Sequence, residues 1–313
     1  SGGYEILMAG CIVYATGGPA GIYMDSCYPV LQHGMSGAAY EAGAVGKNLT
    51  EWQYGLASIA PRWNVSGTYM QVLPRFISTD QEGHDAREFL ADYISDPGGI
   101  LDRVFLKGYQ WPFDVRKALD GSSLIDLIVY TESKVKNRRI FLDYRENPLG
   151  SGFSFDCLGE EAHEYLRRTG ALFGKPIDRL SHMNAPAVEF YRSKGVDLAK
   201  EMLEIALCAQ HNNGGISTDA WWETAVSGLY AVGEVCGSHG VKRPGGSALN
   251  AGQVGALRAA ERIALKKRAK KKGDAGGCES IRNEAENFAG LADRACGNTM
   301  ASELWIKASE EMS

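Results

Sequence analysis

The chain has 313 residues, 44% of them hydrophobic and 23% charged, with 38 glycines and a net charge of −5. That length and apolar content suffice for two domains with cores of their own, and the mild acidity gives no footing for nucleic acid as a partner. Seven scattered cysteines (Cys11, Cys27, Cys157, Cys208, Cys236, Cys278, Cys296) form no C-x-x-C pair; this speaks against a disulfide scaffold, a zinc site or an iron–sulfur cluster and fits thiols kept reduced in a cytoplasm, while no apolar run approaches membrane-spanning length.

Along the chain, Cys11-Ile12-Val13-Tyr14-Ala15 is apolar throughout and reads as a parallel strand buried on both faces, stopped by Thr16-Gly17-Gly18-Pro19. Met35 to Ala44, rich in alanine and glycine, reads as a helix able to lie close to a sheet or a ligand. Between Glu51 and Thr79 the composition turns aromatic and poor in charge, and Val72, Leu73, Phe76 and Ile77 suggest a strand. From about residue 80 to 205 helices and strands mix. Ser123–Tyr130 and Arg139–Tyr144 read as strands, Glu160–Arg168 as a helix with Gly170 past its end, and Pro186–Lys194 as another helix followed by Gly195. Without regular strand–helix alternation, this stretch reads as an α+β domain inserted into the first. Gly228–Glu234 is a short apolar strand ending in a carboxylate, and Asn250–Leu265 a helix with a small-residue face of Ala251, Gly252, Gly255, Ala256 and Ala259. The basic cluster Lys266, Lys267, Arg268, Lys270, Lys271 and Lys272 reads as a solvated helix terminus, and the tail beyond Gly273 as an amphipathic helix with Ile281, Ala285, Phe288 and Leu291 on one face.

Three places carry candidate chemistry. A strand ending in Ala15-Thr16-Gly17-Gly18 delivers bare backbone to the carboxyl edge, where ligands bind in open α/β sheets; an ordinary tight turn is the competing reading. Glu234 at the next strand's carboxyl end suits sugar or ribityl hydroxyls, or is a solvated loop carboxylate. The run His239-Gly240-Val241-Lys242-Arg243-Pro244-Gly245-Gly246-Ser247-Ala248-Leu249-Asn250 is a glycine-rich loop opening a helix. Such a loop presents free N–H groups and a positive dipole end to a phosphate or to the N1/C2-carbonyl edge of a flavin. It has no P-loop pattern. Arg243 is either a bidentate clamp for a substrate carboxylate or a structural loop arginine. His33, His211 and His239 lie beside glycines and are each candidate pocket residues, whereas His84, His163 and His182 read as surface. No histidine spacing makes a metal site. Trp221-Trp222 reads as hairpin packing or as a shield for a flavin edge.

These motifs in this order, with Asn212-Asn213-Gly214-Gly215-Ile216 between them, make the chain resemble the flavoprotein family of fumarate reductase, succinate dehydrogenase and L-aspartate oxidase over about residues 5 to 265. The resemblance implies an α/β fold: an incomplete Rossmann-like FAD-binding domain with an inserted α+β capping domain and a helical C-terminal tail. It also implies boundaries: residues 1–74 and 206–266 for the two parts of the FAD-binding domain, 75–205 for the capping and substrate domain, and 267–313 for a basic linker and tail. FAD is the implied cofactor, held by Ala15, Thr16, Gly17, Gly18, Glu234, Gly245, Gly246, Ser247, Ala248, Leu249 and Asn250. Arg243 is implied to clamp a substrate carboxylate while hydride passes between flavin N5 and a substrate carbon.

The departures narrow the expectation. The family's phenylalanine-histidine-proline-threonine segment aligns with Gln53-Tyr54-Gly55-Leu56-Ala57, its proton-delivering arginine with Phe113, and a second histidine with Gln210. Fumarate and succinate are therefore not expected as substrates, and Arg116, His211 and Tyr54 remain the candidates for the acid. No strand–GxGxxG–helix unit for the ADP half of FAD precedes Ile6. The expectation is a cytoplasmic FAD-dependent oxidoreductase without a membrane span. It acts on a small molecule, with an electron-transfer or complementing flavoprotein chain as a possible partner. The alternative is a non-catalytic or assembly subunit that keeps the fold without turnover.

Overall fold

The structure is a computed structural model that describes residues 7, 9–29, 32–269, 283, 286, 287, 290 and 301–312. In chain order the strands are β1 (Ile12–Tyr14), β2 (Gly46–Lys47), β3 (Trp52–Ser58), β4 (Trp63–Asn64), β5 (Arg75–Thr79), β6 (Arg87–Glu88), β7 (Arg139–Asp143), β8 (Leu203–Asn212), β9 (Gly215–Ile216) and β10 (Leu229–Ala231). The helices are α1 (Ser36–Glu41), α2 (Thr68–Gln71), α3 (Pro97–Lys107), α4 (Ser123–Tyr130), α5 (Glu160–Arg168), α6 (Pro176–Ser193), α7 (Ser247–Ala269) and α8 (Ala301–Glu311). They fall into two compact units, the first made of residues 1–24, 33–52 and 212–313, the second of residues 25–32 and 53–211. The chain passes from one unit to the other at 24/25, 32/33, 52/53 and 211/212.

In the first unit β1 and β10 pair in parallel, Ile12 with Leu229, Val13 with Tyr230 and Tyr14 with Ala231, and β2 pairs antiparallel with β9. The strand buried on both faces is β10. Leu229 and Ala231 join a core with Ala39, Ala44, Ile216 and Val235, whereas Tyr230 turns to Val232 and Ala259. The expectation for β1 is corrected: it is parallel, but Ile12 and Val13 remain 55% and 52% exposed. The small-residue face expected near Asn250 belongs to the longer α7, and it lets the backbone approach closely. A Cβ on Gly252 would lie 3.6 Å from the Gly233 Cα, and one on Gly255 would collide with the Trp222 indole. Lys266, expected to be solvated, pairs with Glu223 at 2.5 Å. In α8 the Trp305 indole N–H donates to the Gly21 carbonyl at 3.2 Å, and its ring lies 5.3 Å from that of His33. The amphipathic face expected at Ile281, Ala285, Phe288 and Leu291 lies outside the described residues, as do Lys270, Lys271 and Lys272.

The second unit is built on a six-stranded sheet of order β4-β3-β8-β7-β5-β6. Its large core draws Leu56, Phe76, Leu142, Leu203 and Ile205 from the strands and Leu101, Phe105, Ile125, Leu166 and Tyr191 from the helices. Local chemistry explains the helix ends. The Asp96 carboxylate accepts the N–H groups of Gly98 and Gly99 at the start of α3, behind Pro97. Helix α5 carries Glu160 and Glu161 in its first turn and Arg167 and Arg168 in its last, matching its dipole, and stops before Gly170 at φ +66°. The helix expected from Pro186 is the second half of α6, which opens at Pro176 and kinks at Asn184 just ahead of Pro186.

Two strand expectations are corrected. Ser123–Tyr130 is the helix α4, burying Ser123, Ile125, Asp126, Ile128 and Val129. Its outward positions, Leu127 and Tyr130, are apolar too, so the helical period is hidden in an apolar run broken only by Asp126. Val72 and Leu73 do not belong to the strand that holds Phe76 and Ile77: Val72 caps α2, and Leu73 takes φ +57°.

Candidate cofactor and substrate site

All the residues expected at the cofactor lie in the first unit. Directly after β1, Gly17 takes φ +78°, a conformation glycine adopts without strain. Gly18 is buried beneath the Glu234 carboxylate, and any Cβ there would collide with it. Gly34, in the His33-Gly34-Met35 segment, backs this turn, with the Pro19 Cα 3.1 Å from where its Cβ would be. Glu234 stands just past the end of β10 in a short 3₁₀ turn, and its Oε1 accepts the N–H of Asn212 at 3.1 Å. The fold therefore brings the Thr16-Gly17-Gly18 stretch and Glu234 together at the carboxyl ends of two parallel strands, where ligands of open α/β sheets sit.

The second stretch is anchored to the first through α7, whose Gly252 rests on Gly233. Gly246 takes φ +77°, and the space where Gly245 and Gly246 would carry a Cβ is open to 4 Å. Ser247 caps the turn, its Oγ donating to the Pro244 carbonyl at 2.8 Å. The Ser247 N–H donates to the same carbonyl at 3.3 Å, while Leu249 is 76% exposed and Asn250 is exposed in the first turn of α7, where an α-helix leaves N–H groups without intrahelical partners. This is a cradle of bare backbone, a positive helix end and a carboxylate, which fits the ribityl and ring portion of a flavin. Ala15 is exposed beside it.

Arg243 and His239 are both buried in this loop. Burial pushes the His239 pKa down, and the positive charge of Arg243 pushes it further the same way. A neutral imidazole beside the guanidinium avoids a second positive charge in this buried loop. Trp221 and Trp222 are packed by α7. The Arg258 guanidinium lies 4.9 Å and 5.8 Å from their ring centres.

The candidates for the acid lie in the second unit. His211 is buried at the end of β8. Tyr54 sits on β3, 38% exposed, and its carbonyl accepts the N–H of Phe113 at 2.8 Å, which ties together two of the segments that depart from the family pattern. Arg116 is exposed and held by Asp114 through Nε at 3.1 Å and Nη2 at 3.0 Å. This pairing raises its pKa still further, which opposes proton donation at neutral pH. Two features escape a reading of spacing alone. Gly55 leaves room for the Trp111 indole and the Gln210 amide, which would both crowd a Cβ there. Asn212 reaches both Glu234 and the Leu49 carbonyl. Their only sequence signal is a glycine in a strand and an asparagine within a glycine motif. No helix among the described residues is long and apolar enough to cross a membrane.

The profile of the FAD_binding_2 family, described as FAD binding domain, matches residues 3–249. Among curated proteins, L-aspartate oxidase 2 of Ralstonia nicotianae is 24% identical over 246 residues, 77% of this chain and 37% of that protein. L-aspartate oxidase of Pyrococcus horikoshii is 35% identical over 109 residues, covering 32% and 24%. One subunit of the fumarate reductase (CoM/CoB) of Methanothermobacter marburgensis is 46% identical over 66 residues, covering 21% and 12%. Among solved structures, a quinol-fumarate reductase with menaquinol molecules shares the fold with a TM-score of 0.65 at 19% identity, over 97% of this chain and 48% of that one. Mycobacterium smegmatis Sdh1 in complex with UQ1 follows with a TM-score of 0.56 at 18% identity, over 97% and 44%. The chain thus spans less than half the length of each of these relatives. It belongs to the FAD_binding_2 family, an oxidoreductase family whose cofactor is FAD, and it carries the fold of the fumarate reductase and succinate dehydrogenase flavoproteins.

Proposed function

We propose that this chain is the catalytic part of an FAD-dependent oxidoreductase acting on a small carboxylate-bearing substrate other than fumarate or succinate. The observation that carries the reading is Arg243. It is buried beside His239 in the loop that leads through Gly245 and Gly246 into α7, in the same unit as Gly18 and Glu234. FAD, when bound, supplies hydride transfer between its N5 and a substrate carbon. The residues of the chain do the rest. Arg243 grips the substrate carboxylate through its planar fork, and its burial strengthens that pairing. Glu234 orients the ribityl hydroxyls, and the N–H groups in the first turn of α7, at Ala248, Leu249 and Asn250, favour negative charge at the ring edge. His211 and Tyr54 are the groups we assign to hold the proton, since pairing with Asp114 raises the already high pKa of Arg116. The replacement of the expected histidine and arginine by Tyr54 and Phe113 supports a substrate less charged than a dicarboxylate.

In this reading the first unit is the FAD-binding domain and the second the substrate-capping domain. The enzyme works in the cytoplasm and passes electrons to or from a partner chain. The test is to load the full chain with FAD and record difference spectra with a panel of small mono- and dicarboxylates, for the wild type and Arg243→Leu. A carboxylate that perturbs the flavin bands of the wild type, with at least about 100-fold weaker action on Arg243→Leu at unchanged flavin content, is the expected result. Absence of flavin absorbance after FAD addition overturns it. Tight FAD binding with no reduction by any donor selects instead a subunit that keeps the fold without turnover, a reading favoured by the departures at Phe113 and Gln210.

A further inference from the structure

Asn212, the last residue of β8, is only 2% exposed. Its backbone N–H donates to Glu234 Oε1 at 3.1 Å, and its side-chain Nδ2 donates to the Leu49 carbonyl at 3.2 Å. A carbonyl oxygen accepts and never donates, so the amide orientation is set: the NH₂ faces Leu49, and Oδ1 is the remaining acceptor. That Oδ1 is buried and has no hydrogen-bond partner among the described residues. An amide oxygen taken out of water without a donor costs about 1–3 kcal/mol, and native structures keep such groups rarely and for a reason.

Its surroundings supply the reason. The carboxylate that Asn212 steadies lies over Gly18, where no side chain fits, at the carboxyl ends of β1 and β10. Segments far apart in the chain, at Gly18, Leu49, Asn212 and Glu234, converge within one unit. The side-chain oxygens they bring, the Glu234 carboxylate and Asn212 Oδ1, are both acceptors. A pair of acceptors repels phosphate and carboxylate and selects a neutral group rich in donors, which means neighbouring hydroxyls.

We propose that Asn212 is a second polyol-binding residue of the cofactor site, its Oδ1 accepting a hydroxyl of the ribityl chain while its backbone N–H holds Glu234 in place. The inference rests on the reading of Glu234 as the ribityl residue. FAD carries vicinal hydroxyls in its adenosine ribose as well, and the experiment separates the two sources. The full chain is titrated with riboflavin, with lumiflavin (the same ring without the ribityl chain) and with FAD, following flavin fluorescence. The wild type binds riboflavin more tightly than lumiflavin. In Asn212→Leu, riboflavin and FAD weaken by about 10-fold, the worth of one lost hydrogen bond, and lumiflavin changes by less than about 2-fold. Circular dichroism confirms the fold, and Asn212→Ala serves if the leucine variant does not fold.

Equal changes for riboflavin and lumiflavin, or none, overturn the role of Asn212 and indicate an oxygen satisfied by trapped water. Weakening of FAD alone assigns the contact to the adenosine ribose and overturns the ribityl assignment. No flavin binding by the wild type overturns the reading of Glu234 itself, an outcome distinct from intact wild-type binding with an unaffected variant.

Discussion

At the scale of single residues, the flavin side of the molecule is governed by what a position lacks as much as by what it carries. Gly18 lies under the Glu234 carboxylate with no room for a methyl group. Gly18→Ala is expected to displace either that carboxylate or the turn after β1 and to lower the flavin-to-protein ratio of the purified chain at least about 10-fold, measured by absorbance. His239 offers a test by pH. Burial and Arg243 hold its folded pKa below the ordinary 6.5. The unfolded state therefore binds the proton more readily, and the stability contributed by neutral His239 is fully present above 6.5 and is lost as pH falls from there through the folded value. The melting temperature of the wild type should drop in that window relative to His239→Gln, and equal slopes for the two proteins would refute the assignment.

At the scale of elements, α4 shows what an apolar run leaves open. Leu124 to Tyr130 suits a buried strand as well as it suits a helix, and the choice falls to partners elsewhere. One such partner is Lys107 at the end of α3, which is fully buried and paired with Asp126 of α4. Burial pushes the Asp126 carboxyl up to about 6 against the pull of the lysine, and lowers the Lys107 pKa. Removing one partner strands a buried charge: Lys107→Met should cost about 3–5 kcal/mol in urea unfolding. The double change Lys107→Met with Asp126→Leu should recover most of that, because the pair also spends desolvation energy. A double variant as unstable as the single one would show that the pair is needed for packing. The end of α5, in contrast, was legible beforehand, because Gly170 acts on its own neighbours.

At the scale of the whole molecule, the chain divides into two units, and every residue assigned to the cofactor lies in the first. Saturating FAD at about 100 times its Kd adds about 2.7 kcal/mol to the stability of whatever folds around it. Hydrogen exchange should therefore slow at residues 12–18, 212–216 and 229–252 on FAD addition and stay largely unchanged in the sheet of the second unit. Uniform protection of both units would contradict the division of labour. The sequence by itself determined the family, the cofactor, the presence of strands at β1 and β10 and the small-faced helix within α7, since glycine turns, apolar runs and small-residue stripes are written in adjacent residues. Only the tertiary structure decided that Ile12 and Val13 stay half exposed, that Ser123–Tyr130 is helical, that Asp114 holds Arg116, and that Asn212 and Gly18 meet Glu234. The physical reason is that burial and hydrogen-bond partners depend on which distant segments the fold brings alongside one another, and spacing along a chain does not encode that.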